Sequence, residues 1–131
     1  MSETTGEVTP QILAYGPPPD GTASLDSDVD VRYFSSNHEV VEAMAPQVPQ
    51  LFICLHAPPR YDGIATVKAV RRFDASVPVV LATNLQSTMV NLQAIQTKVT
   101  WSVELPTGKP AKDGLFDVVR DASEWLETQQ Q

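Results

Sequence analysis

Along this chain the spacing of apolar residues switches repeatedly between a period of two and a period of three to four. Gln11–Tyr15 is a short apolar run closed by Gly16-Pro17-Pro18-Pro19. Three consecutive prolines fix the backbone and remove its donors, so no ladder or regular helix passes through them. Val29, Val31 and Tyr33 alternate with Asp30 and Arg32, which is strand periodicity. Asn37 predicts a helix cap, with Val40, Val41 and Met44 on one side of the helix until Pro46 and Pro49 stop it. Leu51–Leu55 is apolar throughout, as expected of a strand covered on both faces. His56–Asp62 reads as a loop, and Gly63–Phe73 as a helix with Ile64, Val67 and Val70 three apart. Val77–Ala82 is a second fully apolar strand, introduced by Pro78. Leu85, Met89, Leu92 and Ile95 follow at intervals of four, three and three, predicting an amphipathic helix over Leu85–Lys98. Val99, Trp101 and Val103 form a last short strand, before a Pro- and Gly-containing loop over Glu104–Gly114. Leu115, Val118, Val119, Ala122, Trp125 and Leu126 then give the clearest helical stripe of the chain.

Strands alternating with helices, with central strands apolar on both faces, require a parallel sheet carrying helices on its two sides. Five such strands fit a flavodoxin-like doubly wound α/β sheet of order 2-1-3-4-5. Ligands and chemistry in that architecture sit at the carboxyl ends of the strands. Those ends are Tyr15-Gly16-Pro17, Leu55-His56, Thr83-Asn84 and Glu104-Leu105-Pro106. Gly16 followed by prolines lacks the free N–H groups that cradle phosphates, which argues against a nucleotide or flavin cofactor.

Size and charge narrow the classes. The chain has 131 residues, 42% hydrophobic and 19% charged, which suits one domain over residues 11–128, with tails at 1–10 and 129–131. Apolar runs fall far short of the roughly 18 residues of a membrane span, and Met1–Pro10 is polar and acidic, unlike a secretory signal. A cytoplasmic location is expected. The net charge of −7 is concentrated at the front, where Glu3, Glu7, Asp20, Asp26, Asp28 and Asp30 stand without a Lys or Arg. Such a front repels phosphates, so nucleic-acid binding is disfavoured. Lys68, Arg71 and Arg72 form the one basic cluster, explained better as a solvated helix face than as a nucleic-acid patch. Cys54, the lone cysteine, excludes an internal disulfide and sits inside an apolar run, as a buried, inert thiol does.

The segment Leu51–Asn84, LFICLHAPPRYDGIATVKAVRRFDASVPVVLATN, resembles the centre of response-regulator receiver domains. Those domains share its strand, proline-containing loop, Asp-Gly-opened helix and strand ending in Thr. By element order the similarity runs from Gln11 to Glu127, with Pro59, Asp62-Gly63, Pro78, Thr83 and Pro106 matching in type. The resemblance implies a phosphoacceptor aspartate four residues before the loop proline. It also implies Mg²⁺ held by that aspartate and an acidic pair after the first strand, and a lysine before a proline contacting the phosphate. Carried across, the acceptor position falls on Leu55, the acidic pair on Gly16 and Pro17, and the lysine on Leu105. The switch aromatic falls on Ser102, beside Trp101, and only Thr83 remains of the site. Neither Mg²⁺ nor another cofactor is expected, since the hard oxygen ligands are missing.

The reading is therefore a pseudo-receiver: a non-enzymatic signalling module that works without phosphorylation, through protein partners or self-association. An alternative is a small-molecule sensor using the strand-end pocket rimmed by Tyr15, His56, Thr83 and Asn84. A one-residue slip would put His56 at the acceptor place, although a histidine in a structural hydrogen bond is the plainer reading. Asp62 reads as a helix cap. Asp113 and Asp117 read as a dipole-favoured helix start without a third metal ligand. Receivers carry a full helix between their first two strands, where this chain offers only Gly16–Asp28, so that helix is expected to be short or missing. Trp125 then belongs either to an interaction surface, a role also given to Trp101, or to the filling of the gap left by that helix.

Overall fold

Why β3 carries no polar position until its end is plain from what lies on either side of it. The computed structural model describes residues 11–19, 29–84 and 87–129. It contains β1 (Gln11–Tyr15), β2 (Asp30–Phe34), β3 (Leu51–His56), β4 (Val79–Thr83) and β5 (Trp101–Glu104). The helices are α1 (Asn37–Met44), α2 (Gly63–Phe73), α3 (Thr88–Gln96) and α4 (Ala111–Gln129). All strands pair in parallel in the order β2-β1-β3-β4-β5, the order expected from the alternation of elements. Successive strand side chains point to opposite faces. Leu51, Ile53 and Leu55 therefore join Ile12, Ala14 and the Leu115, Val118, Val119 and Leu126 stripe of α4. Phe52 and Cys54 point the other way, to Val40 and Met44 of α1 and to Ile64, Val67 and Val70 of α2. The expected stunting of a helix between β1 and β2 concerns residues 20–28, which lie outside the described residues.

Local chemistry sets the boundaries. Ser36, not Asn37, caps α1, its hydroxyl accepting from the Glu39 amide, so Asn37 becomes the first helical residue. The Asp62 carboxylate accepts from the Ala65 amide and starts α2 where the Asp-Gly pair predicts. β4 begins at Val79 rather than Val77, because Pro78 has no N–H to donate and contributes only its carbonyl, to the Phe52 amide. Helix α4 starts at Ala111, ahead of the apolar stripe and directly after Pro110, whose carbonyl accepts from Asp113 and Gly114.

Helix α3 departs most from the sequence reading. Ser87 caps it and it ends at Gln96, while Leu85 lies outside the described residues. The stripe Met89, Leu92 and Ile95 faces solvent, with Met89 64% and Ile95 72% exposed, and Val90 and Ala94 are the residues packed inward. Val90, Ala94 and buried Thr97 form a second face at helical spacing, and their small size lets the helix lie on the sheet. Two usable stripes lie side by side on α3, and periodicity alone does not choose between them.

Candidate functional site

The carboxyl ends of β1, β3 and β5 meet under the first turns of α4. Gly16 leaves β1 with φ 149°, its amide donating to the Phe34 carbonyl at 2.9 Å. A side chain there would collide, since a Cβ would stand 2.6 Å from Leu115 Cδ2 and 3.2 Å from Leu55 Cβ. Leu55, Leu105 and Leu115 are all buried. The hollow between Leu55, Asn84, Leu105, Pro106 and Lys109 measures about 20 Å³, space for roughly one water molecule. Neither Gly16 nor Pro17 has a side-chain oxygen, so the residues present do not fit a hard divalent cation.

Beside this plug, Thr83 and His56 are engaged with the backbone. Thr83 Oγ1 donates to the His56 carbonyl at 2.7 Å. His56 points to the opposite face from Leu55, and its Nδ1 accepts from the Gly63 amide at 3.1 Å. That bond requires Nδ1 unprotonated, and burial lowers the imidazole pKa from its ordinary value, partly opposed by Asp62. The structural-hydrogen-bond reading of His56 is the one the geometry bears out. A Cβ on Gly63 would lie 2.5 Å from the Leu55 carbonyl, so the Asp62-Gly63 pair combines a cap with a close backbone crossing. Cys54 is fully buried, its thiol donating to the Gly63 carbonyl and held well above the usual thiol pKa by burial.

The two acids early in α4 have different surroundings. Asp117 pairs with Lys109 and, at 3.2 Å, with Arg120, and the Lys109 contact is the main reason its carboxyl sits below the ordinary range. Among the described residues no three His, Cys, Asp or Glu side chains are grouped to hold a metal ion. No helix is long and apolar enough to cross a membrane, again among the described residues.

At the other end, α4 lies beside β5. Leu115 touches the Gly16 and Leu55 positions while Trp125 meets Trp101, so α4 crosses its sheet face diagonally, from the top of β1 and β3 to the foot of β5. The two indoles pack edge to face, with centroids 5.5 Å apart, and both are nearly half exposed. Beside them a groove of about 310 Å³ runs along Leu51, Val80, Val103, Val118 and Ala122. Trp125 thus leans toward β5, where it packs on Trp101. Ser102 is exposed on the opposite side of β5.

No protein-family model matches the chain, and no curated protein matches it. Solved structures do. The cyanobacterial phytochrome response regulator RcpA is similar at 16% identity and TM-score 0.65, over 92% of this chain and 96% of that one. Vibrio cholerae chemotaxis protein CheY4 gives 16% identity and TM-score 0.62, over 87% and 98% respectively. The Francisella response regulator 1452 receiver domain gives 15% identity and TM-score 0.62, over 94% and 100%. The fold is that of a response-regulator receiver domain. On this receiver fold, Gly16, Leu55 and Leu105, positions far apart in sequence, come together at one place. Sequence reasoning missed Leu115, which closes the plug from α4, and Lys98, which lies beside Lys68, Arg71 and Arg72. Neither carries a local signal, because each acts through a contact distant in sequence.

Proposed function

We propose that this chain is a pseudo-receiver: a signalling or regulatory module of the two-component type that works in the cytoplasm without phosphorylation and without catalytic turnover. The observation that carries this is the leucine plug, which leaves about 20 Å³ at the carboxyl ends of the strands. Phosphoryl transfer depends on a nucleophile, metal ions and neutralisation of the phosphoryl charge. At the corresponding places stand Leu55, then Gly16 and Pro17, then Leu105, and none of them supplies any of the three. Thr83, the remaining match, spends its hydroxyl on the His56 carbonyl. On this reading residues 11–128 act as one unit through protein–protein contacts, self-association included, with no Mg²⁺, no cofactor and no nucleic acid. The exposed indoles of Trp101 and Trp125 support a contact role, since aromatic side chains dominate interface energies. The hollow beside Leu55 and Leu105 is far below the about 300–1,000 Å³ of ligand pockets, so it gives no support to a small-molecule site on that face.

Acetyl phosphate with Mg²⁺, followed by intact-mass spectrometry, tests the proposal. The mass is expected to stay unchanged under conditions that phosphorylate an ordinary receiver. A stable gain of one phosphoryl group would overturn the reading.

A further inference from the structure

The opposite end of the sheet, where chains enter the strands, carries a concentration of positive charge. Lys68, Arg71 and Arg72 of α2 and Lys98 after α3 line a groove of about 400 Å³. These are four of the nine Lys and Arg residues in a chain of net charge −7. Its sixteen carboxylates are plentiful, yet among the described residues none forms an ion pair with Lys68, Arg72 or Lys98. The nearest acid, Asp74, is turned into its own loop, accepting from the Ser76 amide at 2.8 Å, the Val77 amide at 2.9 Å and the Ser76 hydroxyl at 3.0 Å.

Two features exceed what a solvated helix face explains. Arg71 serves as a brace, donating to the Val77 carbonyl at 2.7 Å and to the Lys98 carbonyl at 2.8 Å, so it ties the ends of α2 and α3 together around the groove. Lys98 stands at φ 61°. It occupies the left-handed position of a Schellman turn, with its amide bonded to the Ile95 carbonyl and the Val99 amide to the Ala94 carbonyl. Glycine is the usual residue there because a side chain is disfavoured. The helix dipole accounts for Arg71 and Arg72 in the last turn of α2, but not for a lysine standing where glycine fits better.

We propose that this groove binds a ligand bearing adjacent phosphate groups, a di- or polyphosphate ester of small-molecule size. Arg72 offers a planar fork and Lys68 and Lys98 point charges for the phosphate oxygens, while Arg71 is a positioning residue. The site is separate from the leucine plug and does not depend on the pseudo-receiver reading.

Inorganic pyrophosphate is the probe, titrated into the isotope-labelled full chain and followed by amide NMR against sodium chloride of equal ionic strength. Saturable shifts are expected at residues 68–75 and 96–99. Lys98→Gly keeps or raises Tm, because glycine suits the turn, yet weakens pyrophosphate binding about ten-fold. Lys68→Gln with Arg72→Gln abolishes it. Shifts reproduced by sodium chloride, or a Lys98→Gly titration identical to wild type, would overturn the site. Cosedimentation with phosphatidylcholine vesicles containing a bisphosphorylated phosphatidylinositol separates the sources of the phosphates: staying in solution supports a free small molecule, and pelleting would overturn that assignment in favour of a lipid headgroup.

Discussion

His56 illustrates how a single side chain at a strand end serves the architecture. Its Nδ1 accepts from the Gly63 amide, and burial lowers its pKa below the ordinary 6.5. The unfolded chain takes up a proton near 6.5, while the folded chain resists until lower pH. Between those two values the unfolded state binds more protons, so stability rises with pH. We expect urea midpoints to fall as pH drops from 7 toward 5. His56→Asn, which keeps an acceptor for Gly63 without a titrating ring, is expected to flatten that slope; an unchanged slope would refute the assignment. At this scale much was legible: Asp62 as a cap and Cys54 as a buried thiol follow from immediate neighbours. The partner of His56 was not, because the chain must first fold back from His56 to Gly63.

Elements were legible where one apolar face was available and ambiguous where two were. Helix α2 runs over Gly63–Phe73 as its spacing predicts, since a single stripe meets the sheet. Helix α3 carries two stripes and turns the larger one outward. Met89→Lys or Ile95→Lys is therefore expected to change stability by no more than about 0.5 kcal/mol, as exposed substitutions do. Ala94→Asp places a carboxylate on the inward face and is expected to cost on the order of 3 kcal/mol. Chemical denaturation distinguishes them, and a large loss from Ile95→Lys would mean that the outward stripe is part of the fold. Met89, Leu92 and Ile95 leave an apolar strip on the outside of α3, which moves the question to the whole molecule.

Across the whole molecule, apolar surface gathers at the β5 edge of the sheet. On one side of β5 lie the outward residues of α3; on the other, the diagonal run of α4 brings Trp125 against Trp101 and leaves the groove along Val80 and Val103. An edge strand offers unpaired backbone groups as well as side chains, and exposed apolar patches of this kind mark association surfaces. The sequence named both tryptophans but not their meeting, because that depends on the slant of α4, fixed in turn by Leu115 seating against Gly16 and Leu55. Light scattering over a concentration series is expected to reveal species heavier than one chain, with Trp125→Ala shifting them toward monomer. Trp125 is nearly half exposed, so the substitution should spare the fold, which circular dichroism checks. A strict monomer at every concentration, with partner capture unaffected by Trp125→Ala, would remove the indole pair from any interface. The plug and the indole pair hang on the same helix. Leu115→Ala, by loosening the seat of α4 at one end, should therefore weaken association through Trp125 at the other.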